Sequence, residues 1–311
     1  MTAIVDSKLL AYNERQTKRP VLNMFNTLER YLKQIEKTTK TKVTEVIFVY
    51  DFGKSKYRLG LWPEYKGTRT YSEGHEEFTH TYKNDLVNIA KSLGIRNFIV
   101  NDLEADDIAG ILCNKLKGPV VLVTADQDWW GLLLRHGHVN YFNVRKFEYL
   151  TAQDIIEKTG CTNEQLFWIK KAASDDIGDN IRGIPNVGPV KSRAFVERLK
   201  EMPEDEWKTE FMRLCKEKTK GKLETHGDYH RNGITTCEEM YELNMALSRI
   251  MTGVKHLSYD QVLQLTDAWG TAGEQDLGLA KGLLPNTENA FGDSIPADLS
   301  YWRRLYETKT V

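Results

Sequence analysis

Five carboxylates crowd into twenty-five residues in the middle of this 311-residue chain: Glu104, Asp106, Asp107, Asp126 and Asp128. The first three follow the apolar run that starts at Ile95, and the last two follow Val120-Val-Leu-Val-Thr124. Both runs read as buried strands. In a parallel sheet, ligand sites gather beyond the carboxyl ends of the strands, so the two groups are expected to face one crevice. Carboxylates packed that closely repel unless cations neutralise them or some take up protons. The nearby sequence offers no comparable supply of Lys or Arg, which argues for bound metal. All-oxygen donors favour a hard cation, Mg²⁺ or Mn²⁺. Helix capping by Asp102 or Asp106 would explain one or two of these acids. It does not explain a second Asp-x-Asp after the next strand.

Two further short strands end the same way. Ala3-Ile-Val runs into Asp6, and Val46-Ile-Phe-Val-Tyr50 runs into Asp51. Helix-like stretches separate the strands: Leu22 to Ile35, and Glu76 to Leu93 with Phe78, Tyr82, Leu86, Ile89 and Leu93 on one face. Lys37 to Lys42 reads as a loop. Alternating strands and helices predict an α/β fold with a mostly parallel sheet and right-handed crossovers. Val139-Asn-Tyr-Phe142 and Lys146 to Leu150 are a candidate strand and hairpin partner. Thr151 is placed to cap a short helix to Lys158, and Thr162-Asn-Glu-Gln165 reads as a capping box for a helix to about Ser174.

Asp176 and Asp179 lie three apart and would share one face of a helical turn. Gly183-Ile-Pro-Asn-Val-Gly188 then makes a glycine-bounded turn, with Pro189 at the first position of a helix that carries Lys191 and Arg193. Backbone N–H groups at such a helix start can hold a phosphate. Between Gly53 and Thr81, basic residues alternate with aromatics, as in Trp62-Pro-Glu-Tyr-Lys-Gly-Thr-Arg69. That mixture suits base stacking and phosphate pairing, and it equally suits a solvated loop with a Trp anchored in the core. Trp207 to Leu214, the capping box at Thr236, and segments 258–268 and 297–307 predict further helices, with loops at 216–233 and 270–296. His226 and His230 have zinc-finger spacing, but Cys215 and Cys237 form no close pair, so a polar loop is the better reading.

The length suggests about two domains. A hydrophobic content of 41% and a charged content of 28% are ordinary for a globular protein. No apolar run reaches the length of a membrane span and no secretory signal is evident. Cys113, Cys161, Cys215 and Cys237 are widely spaced and read as reduced cytosolic thiols. The net charge of −1 is not that of a typical nucleic-acid binder, although each divalent ion in an acidic cluster adds two positive charges.

Taken together, Glu104-Ala-Asp-Asp107, Thr124-Ala-Asp-Gln-Asp128, Asp176-Ile-Gly-Asp-Asn-Ile-Arg-Gly183 with Gly188, and Pro63-Glu-Tyr-Lys-Gly-Thr-Arg69 after Asp51 resemble the phage 5′-nucleases. These are 5′→3′ exonucleases and flap endonucleases related to the 5′-nuclease domain of bacterial DNA polymerase I. The resemblance spans roughly residues 1–200. It implies a PIN-like α/β catalytic domain over 1–160, with an arch or clamp at about 54–90. It also implies a helical region over 161–311, with a SAM-like helix–hairpin–helix at about 175–200 and an extension of unassigned role. It implies two Mg²⁺ ions, replaceable by Mn²⁺, held among Asp6, Asp51, Glu104, Asp106, Asp107, Asp126, Asp128, Asp176 and Asp179. Asp6 departs most from the family pattern, being followed by Ser7-Lys8. Lys66 and Arg69 are implied as catalytic cations on the scissile phosphate. Arg58, Tyr65, Arg182, Gly183, Gly188, Lys191 and Arg193 are implied as DNA contacts, with Tyr65 stacking on a terminal base and K⁺ at the hairpin. The implied partner is DNA with a 5′ flap or 5′ end, or an RNA–DNA hybrid, met by a monomer in the cytoplasm of a phage's host. The competing readings are a PIN-type ribonuclease without flap selectivity and a non-catalytic DNA-binding protein that keeps the hairpin.

Overall fold

The computed structural model describes residues 1–8, 20–70, 75–220, 223, 233–270, 287–288, 294–295 and 300–307. Six strands form the main sheet: β1 (Thr2–Asp6), β2 (Glu45–Tyr50), β3 (Arg96–Ile99), β4 (Val120–Thr124), β5 (Val139–Asn143) and β6 (Glu148–Leu150). Their order is β3-β2-β1-β4-β5-β6, all neighbours parallel except the antiparallel β5–β6 pair. The order reverses between β1 and β4, which opens a crevice beyond their carboxyl ends. Asp6, Asp51 and the Asp126 turn stand at the ends of β1, β2 and β4, as the sequence predicts.

Side-chain alternation divides the core into two layers. Ile4, Ile47, Val49 and Leu122 pack on one face of the sheet, and Ala3, Val5, Val46, Phe48, Val121 and Val123 on the other. Strands buried on both faces read as unbroken apolar runs. The helices are α1 (Pro20–Thr39), α2 (Lys56–Leu61), α3 (His75–Ser92), α4 (Ala105–Lys115), α5 (Trp130–Arg135), α6 (Ala152–Thr159), α7 (Glu164–Ala173), α8 (Pro189–Lys200), α9 (Trp207–Thr219), α10 (Cys237–Ser248), α11 (Tyr259–Gly270) and α12 (Ser300–Glu307). A second, two-residue pairing joins β7 (Thr287–Glu288) to β8 (Ser294–Ile295).

The first layer runs without a break from the sheet into α4, α7, α8, α9 and α10. The second holds α1 and α12, where Trp302 meets Phe25 edge-on at 5.6 Å. The chain's last described helix therefore returns to the sheet rather than staying with α7–α11.

Several local expectations hold. Thr151 and Thr236 make reciprocal capping boxes at the starts of α6 and α10. Others need correction. Asn163, not Thr162, caps α7, its side chain accepting from the Leu166 N–H. The helix α1 runs on to Thr39 and α9 to Thr219, into stretches expected as loop. The short helix α2 was not expected at all, because Gly60 and mixed polarity hide its period. Asp176 and Asp179 do not lie on a helical turn: Asp176 and Ile181 exchange backbone hydrogen bonds of 2.9 Å each, closing a tight hairpin instead. The expected apolar positions Phe78 and Tyr82 have side chains outside the described set, as do His226, His230 and most of the 270–296 loop. Among the described residues, no helix is long and apolar enough to cross a membrane.

Candidate active site

The site is assembled by backbone before any side chain acts. An isolated bridge between Phe52 and Leu103 ties the end of β2 to the acidic turn after β3. The Asp51 Oδ1 accepts from the Ala105 N–H at 2.9 Å, which sets that carboxylate against the first turn of α4. On the other side of the switch point, the Thr124 hydroxyl donates to Asp6 at 3.0 Å and accepts from the Asp126 N–H at 3.1 Å. Asp126 caps the turn Gln127–Trp129, its Oδ1 accepting from the Asp128 N–H at 2.9 Å.

The 176–181 hairpin closes the crevice. The Asp179 N–H donates to Asp176 Oδ1 at 3.1 Å. Residues 62–69 lie along this hairpin. Trp62 Nε1 donates to the Asn180 carbonyl at 3.2 Å, the Lys66 N–H to the Asp179 carbonyl at 3.0 Å, and Arg69 Nε to the Gly178 carbonyl at 2.9 Å. Lys66 sits at φ 54°, in the left-handed region, at a cost of order 1–2 kcal/mol for a residue with a side chain. The Asp179 carbonyl accepts its N–H there, and that turns the ammonium inward.

Cations thread the carboxylates. Lys66 Nζ donates to Glu104 at 2.6 Å and lies 3.9 Å from Asp179. Arg69 pairs with Asp179 at 2.6 Å, and Lys8 with Asp51 at 3.1 Å. Lys171, from the last turn of α7, joins Asp128 and Asp176. The sequence near the acids supplies no such cations, but segments distant in the chain do, so part of the charge is balanced within the protein. Lys8, Thr124 and Lys171 were missed. Only the positions of Lys8 beside Asp6 and Lys171 beside the Asp176 motif hinted at them.

Compensation is nonetheless incomplete. Burial, then Glu104 and Asp107, push the Asp106 carboxyl well above the usual carboxylate range. Desolvation in the crevice, then Asp128 and Asp6, push Asp126 up to about 7. Asp51 goes the other way: burial raises it, but Lys8 and the Ala105 N–H outweigh that and hold it low. Burial lowers Lys66, yet Glu104, Asp106 and Asp179 more than offset it.

Four expected site residues are placed elsewhere or used otherwise. Arg58 is 2% exposed and engages Glu104, Asp107 and backbone carbonyls, so it is not open to a phosphate. Asp107 is 0% exposed, with both oxygens taken by Arg58 and the Met251 N–H, so it does not face a metal. Tyr65 is 2% exposed, its hydroxyl 3.0 Å from both Glu104 and Asp179, so it does not stack on a base. With Trp62 also buried, the aromatics of 62–69 are core anchors. Gly183 is buried against the backbone of residues 173–175, where a Cβ would lie 2.4 Å from the Ser174 carbonyl carbon. Its role is close packing rather than DNA contact.

Gly188, Arg182, Lys191 and Arg193 are exposed on or beside the start of α8. Gly188 caps that helix, with no side chain on its first N–H groups. Arg193 reaches the Glu157 carbonyl at 3.4 Å.

The donor set fits a hard divalent cation. Asp6, Asp51, Glu104, Asp106, Asp126, Asp128, Asp176 and Asp179 offer oxygen alone, and the raised Asp106 and Asp126 mark residual negative charge that such an ion would relieve. Among the described residues, no three acids surround a common point.

The chain is similar to known proteins in sequence and in fold. A family model, the 5′-3′ exonuclease N-terminal resolvase-like domain, matches residues 4–160. The chain is 28% identical over 207 residues to a 5′-3′ exonuclease of Buchnera aphidicola, covering 62% of this chain and 68% of that one. It is 29% identical over 209 residues to the flap endonuclease of Escherichia phage T5, covering 63% and 69%. It matches DNA polymerase I of Lactococcus lactis at 32% over 152 residues, spanning only 17% of that enzyme. A crystal structure of a variant of the bacteriophage T5 flap endonuclease, complexed with DNA and metal ions, has the same fold, with a TM-score of 0.64 at 21% identity over 88% of this chain and 99% of that one. A family model that takes in β1 through α6, and with them the carboxylates at the strand ends, makes this chain a member of the 5′-3′ exonuclease family.

Proposed function

We propose that the chain is a metal-dependent, structure-specific 5′-nuclease that hydrolyses phosphodiester bonds of DNA at 5′ ends and 5′ flaps, in replication or repair. One observation carries the reading. Carboxylates from separate segments line the crevice beside the switch point of a 5′-3′ exonuclease fold and are tied together by Lys8, Lys66, Arg69, Thr124 and Lys171. Two divalent ions, Mg²⁺ with Mn²⁺ able to substitute, would be held by Asp6, Asp51, Glu104, Asp106, Asp126, Asp128, Asp176 and Asp179. When bound, they supply an activated water and stabilise the entering and leaving oxygens.

The chain's own residues do the rest. Lys66, turned inward by its left-handed backbone, brings its ammonium to the Glu104 side of the crevice, where charge on a phosphoryl oxygen would develop. Arg69, more exposed, stands at the entrance on Asp179 and can pass from that carboxylate to a phosphate. The start of α8, with Gly188, Lys191, Arg193 and the neighbouring Arg182, offers N–H groups and cations to a duplex backbone without reading its bases. In this reading residues 1–160 hold the reacting phosphate and residues 161–200 grip the duplex. K⁺ at the 183–188 turn, action on RNA–DNA hybrids, action as a monomer and residence in the cytoplasm of a phage's host belong to the same proposal.

The test is incubation with 5′-flap, nicked, gapped and RNA–DNA substrates, in Mg²⁺ and in EDTA. Flap cleavage near the junction in Mg²⁺, absent in EDTA, is expected. Cleavage of single-stranded RNA with flaps left intact would assign a PIN-type ribonuclease instead. Flap binding with no cleavage in Mg²⁺ would leave a DNA-binding protein.

A further inference from the structure

The guanidinium of Arg58 has every N–H direction occupied. Nε donates to the Leu247 carbonyl at 2.8 Å and Nη2 to the Arg249 carbonyl at 3.0 Å. Nη1 and Nη2 grip Asp107 at 2.5 and 2.9 Å, and Nη1 also reaches Glu104 Oε2 at 3.1 Å. A rigid fork with all its donors engaged has one orientation. A guanidinium 2% exposed is tolerable only because it is paired this fully.

The same strap of chain, residues 247–251, touches α4 in two more places. The Met251 N–H donates to Asp107 Oδ1 at 2.9 Å. A Cβ on Gly110 would stand 2.2 Å from the Met251 carbonyl oxygen, so the strap lies directly on the helix backbone there. Glu104 is the N-cap residue of α4, yet its side chain makes no capping bond. Its Oε2 is instead pinned between Arg58 and the Tyr65 hydroxyl, and Oε1 is turned to Lys66. The strap lies beyond residues 4–160.

We propose that Arg58 is a positioning residue which, by locking strap 247–251 onto the start of α4, fixes Glu104 in the orientation that binds a divalent ion. The inference rests on the nuclease reading, in which Glu104 is a metal ligand. Arg58 touches neither substrate nor metal; it acts through Glu104. Loss of the fork frees Glu104 to turn and leaves Asp107 buried without its partner. The stretch after residue 200 thereby gains a part in the reaction.

The test compares wild type, Arg58→Met, Arg58→Lys and Gly110→Ala. Gly110→Ala lifts the strap without altering any charge. Leu32→Ala, on the opposite face of the sheet, serves as a control for lost stability alone. Mn²⁺ binding is read from the electron paramagnetic resonance signal of the free ion, beside single-turnover flap cleavage across Mn²⁺ concentrations. Each protein is measured well below its own melting temperature.

Arg58→Met is expected to weaken Mn²⁺ binding ~10–100-fold, the usual scale for groups that orient a ligand. The Mn²⁺ required for half-maximal rate should rise in parallel, and high Mn²⁺ should restore much of the rate. Gly110→Ala should shift both in the same direction, Arg58→Lys should not rescue, and Leu32→Ala should shift neither. Should Arg58→Met fail to fold, Gly110→Ala and Arg58→Lys decide. Unshifted Mn²⁺ binding in the strap variants, or an equal shift in Leu32→Ala, overturns the inference alone. Wild-type protein that binds no Mn²⁺ overturns the nuclease reading and takes this inference with it.

Discussion

Gly183 and Gly188 bound one turn, and only one of them should resist alanine. A Cβ on Gly183 would lie 2.4 Å from the Ser174 carbonyl carbon, 2.6 Å from the Ala173 oxygen and 2.7 Å from the Asp175 nitrogen. Relaxed contacts begin near 3.5 Å, so this backbone must retreat by about 1 Å. Overpacking of that kind costs about 1–3 kcal/mol, which in a chain of this length lowers the melting temperature by about 2–5 °C. The retreat also strains the Gly183 N–H bond to Asp175 at 2.8 Å and the Ile184 N–H bond to the Ala173 carbonyl at 2.9 Å. Both hold the hairpin that carries Asp176 and Asp179. Flap cleavage should therefore fall by more than the lost stability explains, at temperatures where the variant is folded. At Gly188 a Cβ meets nothing within 4 Å and φ is −84°, so Gly188→Ala should cost no more than the ~1 kcal/mol of a weakened helix cap. Thermal melting and single-turnover cleavage of the two variants check this together. Equal melting of both, or a larger loss at Gly188, would refute the packing argument.

Tyr65→Phe removes a hydroxyl shared by Glu104 and Asp179. It should lower the melting temperature by several degrees, since a buried charge-assisted hydrogen bond is worth about 1.5–3 kcal/mol. Flap affinity in EDTA should stay within about twofold, because no stacking is lost; a large loss of affinity would restore Tyr65 as a base contact. Asp126 gives a pH dependence. Its folded-state pKa of about 7 lies above the ordinary aspartate value, so the folded chain binds a proton that the unfolded chain releases. Through this group, stability in chelator is greatest at low pH and declines as pH rises from about 4 to about 7. Asp126→Asn should flatten that part of the melting-temperature profile, and an unchanged slope would contradict the assigned crowding.

The acids at strand ends were legible because each follows an apolar run that cannot be solvated, and order along the chain then sets their place in a parallel sheet. What escaped was the identity of their partners. Nothing local to Lys171 shows that α7 ends beside Asp128, forty-three residues back. Arg58 and Tyr65 looked like surface contacts because polarity suggests exposure. The counter-signal, Asp107 needing a buried partner, lies in another segment and meets Arg58 only through the fold. The helix α2 was hidden by its shortness, and the 176–181 hairpin by an i, i+3 spacing that a tight turn satisfies as well as a helix does. Gly183 and Gly188 look alike in sequence, and only the approach of residues 173–175 separates them.

The most direct trial of the account is the anomalous signal of a crystal soaked in Mn²⁺. Peaks are expected in the crevice between the ends of β1, β2 and β4, among Asp6, Asp51, Glu104, Asp106, Asp126 and Asp128, with Lys8 or Lys171 turned away from its carboxylate. A crevice without a peak at saturating Mn²⁺, its lysines still seated on Asp51, Asp128 and Asp176, would contradict it.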